Sequence, residues 1–210
     1  MILVSFQLLL IVLFYLNNMS TSFKILLLTH AKELSRKTNT GKLVTDTSFA
    51  KLISWDGRGD NIKVSEAIDN LSQPVLIWID GPRIIKEDLC AANSDPTYVI
   101  LDGTWQEAKN MFKKGPDCLR TIPRLSLEPT FKSTYKLRGN YGYVEKFAES
   151  NDTDGGDDVK ALDSNLLCTV EVCASLLLKH GHKHKAEVLL GQLEEFQMSF
   201  QKYFSILGRT

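Results

Sequence analysis

Several features that mark common protein classes are absent from this sequence. Its 4 cysteines include no C-x-x-C pair, which argues against a cysteine zinc site and against a disulfide scaffold. The formal net charge is +0, so a whole-chain electrostatic attraction to nucleic acid is excluded, whereas a local basic face is not. No internal repeat is visible. What remains is the composition of a soluble globular domain, with 43% hydrophobic and 24% charged residues.

The longest apolar run lies at the N-terminus, over residues 1–16. It falls short of the about 20 residues that a membrane span needs. It also lacks the preceding basic residue and the cleavage site of a signal peptide. Three readings stay open: a signal or anchor, an extra helix, or sequence upstream of a start at Met19. We favour the last, which gives an extension over 1–18, one domain over 19–210, and a cytoplasmic protein without stable membrane association.

Apolar runs alternate with helical patterns through the first half of the chain. Three runs predict buried strands, namely FKILLLT from Phe23, PVLIWI from Pro74 and TYVIL from Thr97. Helical patterns near TSFAKLIS, NIKVSEAIDNLS and RIIKEDLCAA separate them. Strands that alternate with helices predict an α/β fold, with a mainly parallel sheet flanked by helices.

The second half of the chain has weaker strand patterns and two strong helical ones. TIPRLSL and STYKLR are β-like, and the acidic AESNDTDGGDDVKALDSN predicts an exposed, removable loop. LLCTVEVCASLLLKH and KAEVLLGQLEEFQMSFQKYFSIL predict helices. Between them, HGHKH is interpreted as a solvated connection rather than a metal site. Cys168 and Cys173 are expected to be buried, reduced thiols.

The stretch ILDGTWQEAKNMF links the third strand to a helix. The apolar residues of WQEAKNMF have the spacing of one helix face, so Asp102 should end the strand and Thr104 should lie in the first helical turn. In open α/β sheets, ligands bind at this end of the strands. The alternative is architectural: Asp102 caps the helix and Trp105 packs in the core.

Four other stretches hold candidate functional residues. THAKELSRKTNTGKLV contains Arg36, which suits a carboxylate or phosphate, and Gly41, which lets the backbone approach a ligand closely. RTIPRLSL and STYKLRGN contribute further basic residues. In CTVEVCASLL, Thr169 is expected to cap a helix and Glu171 to lie in its first turn.

Five stretches occur in the order found in the DTW-domain family: HAKELSRKTNTGKL, LDGTWQEAK, IPRLSL, YKLR and LCTVEVCASLL. The family is named for a D-x-T-W motif, here Asp102, Gly103, Thr104 and Trp105, and the resemblance covers roughly residues 23–207. The members to which a reaction has been assigned look like tRNA-uridine aminocarboxypropyltransferases, which move the 3-amino-3-carboxypropyl group of S-adenosylmethionine to N3 of a uridine. The family is similar in fold to the SPOUT methyltransferases, which implies a knotted C-terminal half. The sequence resembles the shorter members, which lack an N-terminal cysteine zinc cluster, so no metal is expected.

The resemblance implies a role for each stretch. Asp102 would take the N3 proton, with burial raising its basicity, and Thr104 and Trp105 would complete the catalytic motif. S-adenosylmethionine would bind Arg36, Asn39, Thr40, Gly41, Leu101, Leu125 and Thr169. Phosphates of tRNA would bind Arg120, Arg124 and Arg138. Two alternatives stay open: a SPOUT-like RNA methyltransferase, and a non-enzymatic RNA-binding or membrane-tethered module.

Overall fold

A computed structural model describes most of the chain. It covers residues 23–55, 61–82, 96–128, 130–137 and 167–206, without the side chains of 201–206. Several predictions fall outside these residues, namely those for the extension 1–18, the helix in RIIKEDLCAA, the acidic loop and Arg138. The knot expected for the C-terminal half also stays a prediction.

Five parallel strands form one sheet in the order β2-β1-β4-β3-β5. The strands are β1 (Lys24–His30), β2 (Ala50–Trp55), β3 (Pro74–Ile77), β4 (Thr97–Asp102) and β5 (Arg124–Leu125). The central pair is β1 and β4, whose register runs from Lys24 opposite Thr97 to Thr29 opposite Asp102. The predicted α/β fold with a parallel sheet is confirmed.

Seven helices lie in the described part of the chain. They are α1 (Ala31–Ser35), α2 (Gly41–Thr45), α3 (Ile62–Asp69), α4 (Trp105–Lys114), α5 (Asp117–Thr121), α6 (Thr169–Lys179) and α7 (Lys183–Ile206). The helices predicted in NIKVSEAIDNLS, WQEAKNMF and the two C-terminal stretches are therefore confirmed. Among the helices described, none combines the length and the apolar character that crossing a bilayer requires.

Strand β1 shows why the sheet is covered on both faces. Successive side chains of a strand point to opposite faces. Ile25 and Leu27 accordingly pack with α2, α6 and α7, whereas Leu26 and Leu28 pack with α3, α4 and α5. All four are at most 2% exposed. A continuous apolar run is what a strand buried on both sides requires.

Two predicted elements are wrong. TSFAKLIS does not form a helix, because its second half belongs to β2, which pairs with β1 from Ala50 opposite Ile25 onward. Of STYKLR, the described residues 133–137 form no strand, and side chains from elsewhere hold their backbone instead. The Thr134 amide donates to Glu171 Oε1 at 2.6 Å, and the Lys136 amide donates to Gln197 Oε1 at 2.7 Å.

The strand order fixes where a ligand can bind. β2 is the neighbour of β1 towards one edge of the sheet. β4 is the neighbour of β1 towards the other edge, and β3 and β5 follow it. Such a reversal opens a crevice outside the carboxyl ends of the two central strands. These ends carry Thr29 and His30 on β1, and Asp102 on β4.

Candidate functional site

Asp102 is a buried carboxylate at the carboxyl end of β4. It is 3% exposed. Thr29 Oγ1 donates to its Oδ2 at 3.0 Å, and Thr169 Oγ1 donates to its Oδ1 at 2.6 Å. Its predicted position at a strand end is confirmed. The alternative in which it caps the next helix is wrong, because Thr104 is the N-cap of α4.

The surroundings of Asp102 make it a stronger base than an ordinary aspartate. Burial raises its pKa from 3.8 to about 6, against the opposing hydrogen bonds from Thr169 and Thr29. Desolvation disfavours the charged form, whereas hydrogen bonds to the carboxylate favour it. Asp102 is consequently ionised at neutral pH yet able to accept a proton there.

The loop before α2 rests directly on this carboxylate. Asn39 is fully buried, its Oδ1 accepting from the Gly41 amide at 2.7 Å and its Nδ2 donating to the Glu33 carbonyl at 3.0 Å. A Cβ on Gly41 would lie 2.4 Å from Asp102 Oδ2. The structure thus brings together Asp102, Gly41 and Thr169 of the predicted site. The buried Asn39 side chain stabilises the loop through these two hydrogen bonds to its backbone.

We expect Gly41→Ala to destabilise the protein. The added Cβ would collide with Asp102 Oδ2, and overpacking of this kind costs about 1–3 kcal/mol. Denaturant unfolding measures the loss. Gly191→Ala is the matched control, since a Cβ there meets nothing within 4 Å and Ala favours the interior of α7. A Gly41→Ala protein as stable as Gly191→Ala would contradict the close approach.

Thr104 and Glu107 form a capping box at the start of α4. Glu107 Oε2 accepts from the Thr104 amide at 2.9 Å, and Thr104 Oγ1 accepts from the Glu107 amide at 3.3 Å. The T-x-x-E spacing that encodes this cap is visible in the sequence. Trp105 follows the cap and is 36% exposed, so the alternative that packs it in the core is wrong.

Arg36 is bound within the protein. Its two terminal nitrogens donate to Glu107 Oε2 and Oε1, each at 2.8 Å, and it also contacts Glu33. Burial tends to raise the pKa of Glu107, but the hydrogen bonds from Arg36 and Thr104 outweigh it and lower that pKa to about 2. The bidentate pair ties the loop after β1 to the helix after β4.

The start of α6 differs from the prediction. The N-cap is Cys168, and Thr169 is the first helical residue, so the prediction that Thr169 caps the helix is wrong. Its hydroxyl instead reaches Asp102 across the sheet edge. Glu171 lies in the first turn as predicted, and Cys168 and Cys173 are buried as predicted.

The other predicted residues belong to neighbouring elements. Leu101 is half-buried among α3, α4 and α5, and Leu125 pairs with Ile77. Arg124 forms an ion pair with Asp80 at 2.9 Å. Arg120 donates to the Gly115 carbonyl at 2.6 Å. Both arginines are therefore held at α5 and β5 by groups of the protein itself.

The connection HGHKH was predicted to be solvated, and this prediction is only partly right. His180 and His182 are half-buried, whereas His184 is exposed. The His180 Nε2 lies 2.8 Å from the Tyr98 hydroxyl. The connection is therefore anchored on β4, because a buried hydroxyl needs such a partner.

Thr29 and Glu107 are direct neighbours of Asp102 and Arg36 that sequence reasoning missed. Thr29 is a polar residue, fully buried, that closes an apolar strand. Its contact with Asp102 follows from the pairing of β1 with β4, and strand order was not readable from spacing. Glu107 could have been found from its capping-box spacing.

A family comparison adds to this geometry. The model of the DTW domain matches residues 10–141, which is more than half of the chain. The match includes the loop at Gly41 and the motif at Asp102, and it ends before Thr169. No solved structure was found to match the chain. The chain belongs to the DTW-domain family, the family of the tRNA-uridine aminocarboxypropyltransferases, with which a tRNA-modifying role is consistent.

Proposed function

We propose that the protein transfers the 3-amino-3-carboxypropyl group of S-adenosylmethionine to N3 of a uridine in tRNA. Asp102 is the observation that carries the proposal. It is the first residue of the motif that names the family, it ends a central strand, and burial raises its pKa to about 6. A base whose pKa lies near the working pH suits removal of a weakly acidic proton.

The transfer needs one proton acceptor and one aligned carbon. Asp102 takes the proton of N3, and N3 forms a bond to the methylene carbon next to sulfur. The bond between that carbon and the sulfonium breaks, and its electron pair stays on sulfur, which leaves neutral methylthioadenosine. Thr29 and Thr169 occupy two of the about four acceptor positions of a carboxylate, so Asp102 keeps capacity for the N3 proton.

Arg36 and the loop at Gly41 are proposed to hold the donor's amino-acid end. A guanidinium has five N–H donors, and Arg36 uses three of them on Glu33 and Glu107. Two donors remain for the carboxylate of S-adenosylmethionine. Asn39, Thr40, Leu101, Leu125 and Thr169 complete the proposed donor site around the sheet edge. Arg120, Arg124 and Arg138 are proposed to bind tRNA phosphates.

Product analysis tests the proposal against methyl transfer. The protein is incubated with unmodified tRNA and S-adenosylmethionine, and both products are identified by mass spectrometry. We expect methylthioadenosine and a uridine enlarged by the aminocarboxypropyl group. S-Adenosylhomocysteine with a methylated nucleoside would overturn the proposal in favour of a methyltransferase. A lack of any product with tRNA from cells that lack the protein would favour a non-enzymatic module.

We expect kcat/KM to fall as the pH drops below about 6. Asp102 accepts a proton only when it is ionised, and its pKa is about 6, so the rate should lose about tenfold per pH unit on the acid side. Above that pH the contribution of Asp102 is constant. Initial rates between pH 5 and 8 measure the profile, with circular dichroism at each pH as the control for unfolding. A flat profile from pH 5 to 7.5 would contradict the role of Asp102.

A further inference from the structure

Three aromatic rings lie together beside the motif. The Trp78 ring stacks on Trp105, with centroids 5.5 Å apart and an interplanar angle of 27°. It also stacks on Phe112, at 4.8 Å and 24°. Trp105 is 36% exposed, and the neighbouring Ile79 is 65% exposed. Trp78 and Phe112 are half-buried, so Trp105 is the ring that this group presents to solvent.

Cations surround the same rings. Lys109 Nζ lies 4.8 Å from the centroid of a Trp105 ring, and the Arg124 guanidinium carbon lies 5.7 Å from the centroid of Phe112. Lys109 and Lys113 follow Trp105 at intervals of four residues, which puts them on one side of α4. Among the residues described, no carboxylate forms an ion pair with Lys109 or Lys113.

We propose that this aromatic face, made of Trp78, Trp105 and Phe112 with Lys109 and Arg124, stacks an unpaired base of the RNA substrate. The proposal rests on the proposed function and deepens it. Trp105 belongs to the same D-x-T-W motif as Asp102, so the stacked base is proposed to lie near the target uridine. Aromatic rings stack on any base, and cations beside them bind the phosphates.

The charge of the surface favours RNA over a protein partner. The chain as a whole is neutral, whereas Lys109 and Lys113 form a local basic face beside the exposed Trp105 ring. Such a face suits a polyanion. Lys109 has a long flexible side chain, and a change of rotamer would move its ammonium from the Trp105 ring to a phosphate. A base in a duplex offers no free face, so the surface should select unpaired nucleotides.

The test measures binding without S-adenosylmethionine. A fluorescent oligouridylate is compared with a blunt RNA duplex that has the same number of phosphates. The single strand has about 12 nucleotides, a length that falls within the usual site size for single-strand binding. We expect tighter binding of the single strand and quenching of tryptophan fluorescence. The quenching would come from Trp78 and Trp105, because Trp55 is 1% exposed.

Variants of the aromatic face sharpen the test. Trp105→Leu should weaken oligouridylate binding between about fivefold and about 150-fold, the usual effect of losing one stacking ring, and Trp105→Phe should restore most of it. Lys109→Ala, a change at a half-buried side chain that leaves the three rings in place, should lower the slope of log Kd against log salt by about 0.7. Lys185→Ala, on the exposed side of α7, is the matched control and should change neither quantity.

Two results would overturn the proposal. One is equal oligouridylate affinity of Trp105→Leu and the unaltered protein. The other is equal affinity for single strand and duplex without quenching, which would point to phosphate binding alone or to a protein partner for the rings. Because no donor is present, these outcomes do not depend on transfer activity. A protein that makes methylthioadenosine but shows no stacking would retain the proposed function and lose this inference.

Discussion

Asp102→Asn is expected to lower turnover by roughly 10²–10⁴-fold, the usual contribution of a general base. Asparagine keeps the size of the side chain and can still hydrogen-bond with Thr29 and Thr169, whose hydroxyls can reverse their direction. It cannot take the proton of uridine N3. Binding of S-adenosylmethionine should survive, so the loss should appear in kcat. Single-turnover rates and the affinity for S-adenosylmethionine, measured on the same preparation, distinguish a loss of catalysis from a loss of binding.

The stability of the same variant gives a second, independent readout. The folded-state pKa of Asp102 is raised from 3.8 to about 6. The folded protein therefore holds an additional proton between these values, and stability falls as the pH rises through this window. Above about pH 6 the ionised carboxylate costs about 3 kcal/mol, at 1.36 kcal/mol per pKa unit.

Asp102→Asn removes this titration. The difference in stability between the variant and the unaltered protein should grow in favour of the variant from pH 4 to pH 7.5. Denaturant unfolding of both proteins at these two pH values measures it. A variant that is fully active and shows no such pH-dependent gain would make the D-x-T-W motif an architectural element. The base would then have to be another carboxylate or water.

The sequence predicted those elements whose local pattern and final environment agree. β1 and β4 are continuous apolar runs buried on both faces, and α4 has one apolar face behind a Thr104–Glu107 capping box. β2 was mistaken for a helix because its residues from Ala50 to Trp55 owe their strand form to pairing with β1. That pairing is a tertiary interaction, and it outweighs local propensity.

The candidate site shows the same division. Asp102 was found because a polar residue that ends an apolar strand marks the sheet edge where ligands bind. The partners of Asp102 depend on which strands are neighbours, so its contact with Thr29 was beyond sequence reasoning. Arg36 was recognised as a bidentate donor, but the protein already offers it a carboxylate in Glu107. Motif spacing identifies the chemistry of a side chain, and the three-dimensional contacts decide how much of it is left for a ligand.

Loss of the Glu171 side chain is expected to destabilise the described fold strongly. It is fully buried, and Oε1 accepts from the Thr134 amide at 2.6 Å. Oε2 accepts from the Cys168 amide and the Ser133 hydroxyl, each at 2.8 Å. One side chain thus holds the irregular segment at residues 133–134 against the start of α6, where Thr169 reaches Asp102.

Glu171→Ala leaves the buried Cys168 amide without an acceptor. It also removes the acceptor of the Ser133 hydroxyl and the Thr134 amide, whose hydrogen bonds are partly buried. An unsatisfied buried amide costs about 1–3 kcal/mol, and each of the two partly buried hydrogen bonds contributes about 1 kcal/mol, so we expect a total loss of about 3–5 kcal/mol in the free energy of unfolding. Glu194→Ala, an exposed change on α7, should stay within about 0.5 kcal/mol. Urea unfolding of the two variants gives the comparison.

Glu171→Gln makes the prediction more specific. Each carboxylate oxygen of Glu171 accepts one backbone amide, from Thr134 on one side and Cys168 on the other. A glutamine has one oxygen and one NH₂ group, so either orientation leaves one backbone amide facing a donor. The loss should therefore be intermediate, about 1–3 kcal/mol, and kcat should fall with it because Thr169 is displaced from Asp102. If Gln and Ala variants were both as stable as Glu194→Ala, Tyr135 and Gln197 would have to hold the segment without Glu171.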